Sequence, residues 1–558
     1  MKLLGTGSDL RLLVRPVRSA VQPIARRAAA ANSLDNEVAP QGDNGRRGDN
    51  WSLRLARVAL LGQIAWLMAF SWVQFHRGAL TRDFSTYNQG TWLIAHGHID
   101  PYSTVMGFPL WRNNSEFILW PLSAVTYLPP EGLWLLWAQD AAVVATGWIA
   151  ISWVAEFLSS ESSGAWTNAG VLLAGVLWVS NLQVYATAAF DFHTEVFAAC
   201  FAVLAGRNLW RGTTGRAWIW LVLLLLSGLV AVLYAVALGA VVLLARSGRD
   251  RPRVARRVGV VILLVALSWM LMLLLVHGDV GSELVQKYGY LAVGRAKPGI
   301  YQIVVGAISH PSQVVGHLWF NRHNLWANIA PSGLLGILCP WGLAMGAFAT
   351  LPGALAAGNV FAAAAFQNFP CFAFVIFGTV VVLDGVGGAR RAKWLGSVLA
   401  GVVGVSAGVW GFMAVPNYPS YWLAVSPKAS RTLATVRALV PSGAEVVTSQ
   451  GISGWFSSRG DVWVVMGLPD EIVVKRREVY FVLSSSVGLQ TMSSSNTMAL
   501  ETWLERRGVA VLVDRDGISL LRLEVAGGPG SMLLPGVRSV CAAAGATARG
   551  AGGCYSNE

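Results

Sequence analysis

Apolar runs of about twenty residues, set apart by short polar or basic segments, fill most of the chain up to residue 415. The clearest is GVVILLVALSWMLMLLLV, from Gly259 to Val276. At 1.5 Å per residue, runs of this kind cross a hydrocarbon core of ~30 Å as helices. The pattern predicts helices at about 58–76, 131–157, 165–187 and 193–209, a thin helical hairpin within 217–245 turning near Ser227 and Gly228, and a helix at 258–276. Four more are predicted at 332–350, 353–366, 371–386 and 395–415, for about eleven spans in all. Two long polar-rich loops interrupt them, one at 77–130, broken by Pro109, Pro121, Pro129 and Pro130, and one at 278–331.

Beyond residue 416 the period changes. AEVVTSQG, DVWVVMG, EVYFVLSS and VAVLVDRDGISLLRL are β-branched runs of strand length. They alternate with the helical-looking SPKASRTLATVRALV and TMALETWLERRG, so 416–525 reads as a small α/β domain. The Gly- and Ala-rich stretch 526–558 and the basic arm 1–57, with ten Arg or Lys against five acids, show no such periodicity and read as disordered.

Composition agrees with a membrane protein: 54% of the 558 residues are hydrophobic and 13% charged. The net charge of +13 does not point to nucleic acid, because the basic residues cluster beside apolar segments. The N-terminal arm, Arg207 to Arg216, Arg246 to Arg257 and Arg390 to Lys393 are such clusters, and the positive-inside rule places all four in the cytoplasm. The two long loops and the C-terminal domain then lie outside. Many of the 25 tryptophans sit near segment ends, as interfacial anchors do. Cys200, Cys339 and Cys371 lie in apolar segments, and only Cys541 and Cys554 are placed to pair in an oxidising compartment.

Ionisable groups at a bilayer surface mark candidate chemistry. In TRDFSTYNQGTWLIAHG, Asp83 follows the first span, with Arg82, Tyr87, Asn88, Gln89 and His96 at helical spacings beside it. Such a carboxylate can deprotonate an acceptor hydroxyl or bind a divalent metal ion, and it can equally N-cap a short interfacial helix. FDFHTE places Asp191, His193 and Glu195 at one membrane turn, as a polar cap or as part of a site. Glu116 is a third outer acid, read first as a solvated surface group, and Asp140 lies inside a span, where a structural hydrogen bond is expected. In the second loop Lys287, Arg322 and His323 suit a phosphate, or the basic face of a helix lying on anionic lipid. No P-loop, GxGxxG before a helix, HExxH or GxSxG is present, so ATP hydrolysis, nucleotide redox chemistry and serine or zinc hydrolysis recede.

RDFSTYNQGTWLIAHGHIDPYS, WLLWAQD, AAFDFHTEVFA and KYGYL together resemble a family of bacterial predicted integral membrane proteins common in actinobacteria, over about residues 55–415. That family in turn looks like a relative of the GT-C glycosyltransferases, which use polyprenyl-phosphate sugars. The resemblance implies a GT-C-like fold with a seven-helix module at 58–276, a second part at 277–415, and an outer C-terminal domain. It implies Asp83 as general base, with Asp191, His193 or Glu195 completing a polar site and Arg322 or His323 holding the donor phosphate. Arg82, Gln89, Glu116 and Lys287 are further candidates for substrate contact. The hairpin departs from the family pattern: Ser227 and Tyr234 stand where a Lys or acidic cluster is expected. The implied function is transfer of a monosaccharide, with mannose as first guess, to a glycan, protein or secreted peptidic metabolite outside the plasma membrane. A transporter and a non-catalytic envelope scaffold are the competing readings.

Overall fold

The computed structural model describes residues 51–532 apart from 162–163, 245–251, 278–283, 286, 293–298, 358–364, 387–395, 398, 402, 405–422, 424, 466–471, 489–493 and 526–529. Most of the basic arm, most of the helix expected at 395–415, half of that expected at 353–366, and Cys541 and Cys554 lie outside the described residues.

The chain is mostly helical with a small C-terminal sheet. Four helices are long and apolar enough to cross a membrane: α1 (Trp51–Arg77), α3 (Leu133–Glu161), α9 (Pro252–His277) and α14 (Ala365–Val386). A fifth span counts if the bent pair α4 (Gly164–Val179) and α5 (Leu182–Ala189) is taken as one. These are the described helices that pass on length and composition. Shorter helices complete the set: α2 (Arg82–Ala95), α6 (Glu195–Trp210), α7 (Thr214–Leu225), α8 (Leu229–Leu244), α10 (Ile300–Ser309), α11 (Pro311–Phe320), α12 (Arg322–Ile329) and α13 (Pro340–Leu355).

Two expected helices differ for local reasons. The span expected at 165–187 bends by 42° at Asn181, whose Oδ1 accepts the Gln183 amide at 3.0 Å and starts a new helix. The helix expected at 332–350 begins only at Pro340, because Gly333 at φ +83° and the pyrrolidine at 340 restrict the preceding stretch to 3₁₀ turns.

The chain divides into two compact units. One comprises residues 1–64, 142–187 and 195–414. Its core is aromatic: Trp153 stacks on Phe377 with centroids 4.0 Å apart and meets Trp341 and Phe374 edge-on. Glu156 pairs with both Arg207 and Arg211.

The other unit comprises residues 65–141, 188–194 and 415–558. Its five-stranded sheet has the order β4 (Val462–Val464), β3 (Glu445–Thr448), β6 (Glu478–Leu483), β8 (Ile518–Glu524), β7 (Ala510–Arg515). β4, β3 and β6 run parallel, and β8 and β7 antiparallel to their neighbours. Helix α15 (Pro427–Leu439) covers one face, with Leu433 and Val436 against Val446, Tyr480 and Leu520. Helix α16 (Ser494–Glu505) covers the other, with Leu500 and Leu504 against Val447, Phe481 and Leu521. Burial on both faces explains why β3 and β6 read as unbroken apolar runs. Ser426 caps α15 by accepting the Ala429 amide at 3.2 Å, and Pro427 opens its first turn. In the first loop a two-residue hairpin, β1 (Tyr102–Ser103) with β2 (Phe108–Pro109), follows α2, and outside the main sheet β5 (Ile472–Val474) pairs antiparallel with β9 (Gly530–Met532).

Candidate active site

The two sharpest motifs of the sequence, DFSTYNQG and FDFHTE, meet within the second unit. α2 begins after Thr81, whose extended backbone makes it the N-cap, yet its own side chain caps nothing. The cap comes from Asp191. Its carboxylate accepts the Thr81 amide at 3.0 Å, the Phe84 amide at 3.3 Å and the Thr81 hydroxyl. The expectation that Asp83 N-caps this helix is therefore corrected. Asp83 sits in the first turn, while a carboxylate 110 positions away takes the orphan amides.

The turn that carries Asp191 is held by two glutamines from the spans. Gln139 Nε2 donates to the carbonyls of Ala188 and Asp191 at 3.2 and 2.6 Å, and its Oε1 accepts the His193 amide at 2.6 Å. Gln74 Nε2 donates to the Ala189 carbonyl at 2.9 Å. Asp191 itself is at φ +45°, a left-handed conformation that Asp tolerates better than most residues. Gln74 and Gln139 were not among the expected site residues. Their signal was available: uncharged polar groups inside apolar helices need a partner there. Asp140 finds its partner in Ser71, whose hydroxyl donates to Oδ2 at 2.8 Å.

Asp83, Glu116 and Asp191 have different fates. Asp191 and Glu116 are each 2% exposed. Glu116 Oε1 accepts the Tyr87 hydroxyl at 2.8 Å, the Thr194 hydroxyl at 3.0 Å and Asn114 Nδ2 at 3.2 Å. The reading of Glu116 as a solvated surface group is thus corrected, because it cross-links α2 to the turn before α6. Asp83 alone presents its carboxylate, with the side chain 43% exposed. His193 Nε2 lies 3.7 Å from Asp83 Oδ2. The other ring nitrogen, Nδ1, is 3.1 Å from the Phe190 carbonyl, which only accepts, so Nδ1 carries a proton, and Nε2 carries a second one when the ring donates to Asp83. Nε2 is left facing Asp83. Phe190 stacks on the imidazole and Tyr87 meets it edge-on, which fixes the ring plane.

Full burial pushes Asp191 up, the protein packed around the partly exposed Asp83 pushes it up as well, and their neighbours decide the outcome. For Asp83, the hydrogen bond and charge of His193 together with Arg82 outweigh burial and hold it below the ordinary carboxylate range. For Asp191, burial and the nearby Asp83 charge prevail over the Thr81, His193 and Phe84 contacts and push it up to about 6. Of the pair, Asp83 is the one held ionised. Arg82 lies beside it, its Nη2 3.4 Å from the Met106 sulfur and its Nε buried without a hydrogen-bond partner.

Gln89 is committed elsewhere. Its Nε2 donates to Thr104 Oγ1 at 2.7 Å and to the Gly460 carbonyl at 3.0 Å, while its Oε1 accepts from Ser103 at 3.0 Å. Oε1 also accepts the Val105 amide at 3.3 Å, so a substrate would have to displace four contacts. Glu195, Lys287, Arg322 and His323 belong to the other unit. There Glu195 is buried at the start of α6, and the Arg322 guanidinium lies over the Trp319 ring at 4.6 Å. Among the described residues no group of three or more His, Cys, Asp or Glu side chains is arranged to hold a metal ion.

The family model described as "Predicted membrane protein (DUF2079)" matches residues 79–477. The chain belongs to this family. It is a multi-pass membrane protein, with the site above inside the matched stretch. No curated protein matches it. Among solved structures it is similar to the crystal structure of ArnT from Cupriavidus metallidurans in the apo state, at 12% identity and a TM-score of 0.42, over 83% of this chain and 98% of that one.

Proposed function

We propose that this DUF2079 member is an integral membrane glycosyltransferase that moves a monosaccharide from a polyprenyl-phosphate donor to an acceptor hydroxyl outside the plasma membrane. The observation that carries the reading is the singling out of Asp83. Of Asp83, Glu116 and Asp191 it alone is open to solvent, and it faces an oriented imidazole. In the proposed step Asp83 takes the acceptor hydroxyl proton while the acceptor oxygen bonds to the anomeric carbon. The bond from that carbon to the phosphate oxygen breaks, and polyprenyl phosphate leaves with the electron pair. His193 steadies the Asp83 charge until the proton arrives. Arg82, with donor capacity left over beside the base, neutralises charge on the leaving phosphate.

Arg322 or His323 is proposed to hold the donor phosphate and Lys287 to contact the substrate, while Glu195, an acid, is proposed as a polar group of the site and not as a phosphate contact. The proposed orientation has the N-terminus in the cytoplasm and the C-terminal domain outside, following the basic clusters. Mannose is the first sugar to test, and a cell-envelope glycan, a protein or a secreted peptidic metabolite the first acceptors. A non-catalytic envelope scaffold is the second reading, favoured by the α7–α8 hairpin, where the Tyr234 hydroxyl is spent on the Gln367 carbonyl at 2.6 Å.

The test is transfer of labelled sugar from polyprenyl-phosphate donors in membranes, with Asp83→Asn at matched expression. The base reading requires a loss of roughly 100-fold or more in kcat. Equal transfer by both proteins removes Asp83 as the base. No transfer by either, across several donors, favours the scaffold or a transporter.

A further inference from the structure

The polar face of α2 is spent on the C-terminal domain. Ser85 Oγ and Ser453 Oγ are 2.6 Å apart, Asn88 Nδ2 donates to Ser457 and Ser458 hydroxyls at 2.8 and 3.0 Å, and Gln89 reaches the Gly460 carbonyl. Thr104 Oγ1, after α2, both donates to the Val462 carbonyl at 2.6 Å and accepts its amide at 2.9 Å, extending the edge strand β4. The Gly454 amide donates to the Leu80 carbonyl at 3.1 Å, just ahead of the helix.

The place of these contacts in the sheet is informative. β3 lies between β4 and β6, so the chain leaves β3 in one direction and returns on its other side. In open α/β sheets that switch point, at the carboxyl ends of the strands, is where ligands bind. Here it is closed. The segment after β6 brings Gly488, at φ +93°, so near Gly451 that an added Cβ would overlap the Gly451 carbonyl oxygen. The segment after β3, Gln450–Phe456, is fully buried and bears on α2. A Cβ on Gly454 would overlap Leu80 Cβ and meet Phe84 at 3.0 Å, so no larger residue fits without moving the start of the helix that carries Asp83.

We infer that the C-terminal domain takes the chain's own first outer loop at the end of its sheet where such domains bind ligands, and that Gly454 and Ser453 are positioning residues for Asp83. The inference rests on the reading of Asp83 as the reacting carboxylate, but its geometry can be tested without turnover. The acceptor then meets Asp83 on the α2 side facing away from Ser85 and Asn88, and the domain sets the reach of the carboxylate.

The experiment uses the full chain in membranes. In a background whose five native cysteines are replaced, Asp83→Cys reports the local geometry through its rate of alkylation by a charged maleimide. Adding Gly454→Ala should change that rate at least threefold, whereas adding Gly443→Ala, with nothing within 4 Å of its added Cβ, should leave it unchanged. Equal alkylation rates with and without the Gly454→Ala change would overturn the inference. A milder set guards against misfolding: Ser85→Ala and Ser453→Ala singly, and both together. Each single change breaks the Ser85–Ser453 bond, while the surviving hydroxyl keeps its own backbone carbonyl (Thr81 for Ser85 at 2.9 Å, Gln450 for Ser453 at 3.0 Å), and should lower kcat about fivefold with KM for the donor unchanged. The double change should be no worse than either single one. Additive losses, or losses confined to KM, would overturn the positioning role. If the unaltered chain transfers no sugar at all, the enzyme reading fails while the alkylation result still decides the contact.

Discussion

Asp191 supplies to Thr81 what a helix N-cap ordinarily supplies to itself: its Oδ2 accepts both the Thr81 amide, at 3.0 Å, and the Thr81 hydroxyl. The first long loop and the turn before α6 are thereby one construction, and Asp83 keeps its exposure and its His193 contact beside them. A structural duty for one acid is what releases the other for chemistry.

Replacing Asp191 by Ala strands three buried donors, Thr81 N, Thr81 Oγ1 and Phe84 N. The expected cost is about 1–3 kcal/mol, read as a lower melting temperature of the purified protein. Asn keeps an acceptor and tolerates the positive φ, so Asp191→Asn should stay within about 1 kcal/mol of the parent. An Ala variant as stable as the parent would refute the cap.

The same carboxyl predicts a pH dependence. Its folded value, pushed up to about 6, lies above the ordinary 3.8, so the folded state binds the proton first and gains stability as pH falls from about 6 toward 4. The gain, about 2–3 kcal/mol at 1.36 kcal/mol per pH unit of difference, is absent from Asp191→Asn. Melting temperatures of the two proteins should therefore diverge in favour of the parent on acidification through that window. Asp83, held low, acts in the opposite sense and only below its ordinary range.

His193 helps to keep Asp83 ionised. In His193→Phe the carboxyl loses that partner and its pKa rises, so the acid limb of the pH–rate profile should move to higher pH. An unchanged limb with reduced rate would mean that the imidazole acts on the substrate and not on Asp83.

Glu116 is expected to behave as a strut. Gln keeps the acceptor used by Tyr87 and Thr194, and Glu116→Gln should retain transfer within about threefold. Glu116→Ala orphans both hydroxyls and should lose about 1–3 kcal/mol of stability. A selective loss of activity in Gln, at parental stability, would restore Glu116 to the substrate.

Periodicity carried much of this architecture. The runs at 58–76, 131–157 and 258–276 fall within or largely within α1, α3 and α9, and the strand-like runs after 440 form the sheet. Local pattern also put Asp83, Asp191 and His193 forward. It did not tell which acid is consumed, because a cap supplied from 110 positions away leaves no trace in either motif's spacing. For the same reason Gln89, polar beside a candidate base as Asn88 is, looked like a substrate ligand. Their partners lie about 370 positions on, in a loop of serines and glycines whose polarity reads as ordinary solvent exposure.

The bond between Ser85 and Ser453 spans 368 positions, with most of the apolar segments between them in the chain. At 5–20 residues per second, a ribosome needs on the order of 20 to 70 s to travel from one serine to the other. In the proposed orientation, the loop bearing Asp83 spends that interval outside the cytoplasm without its partner. The proposed reactive geometry is therefore a late event in biogenesis, completed only when the domain bearing Ser453 has crossed the bilayer. On that proposal a chain stalled or clipped before Ser453 is inserted but idle.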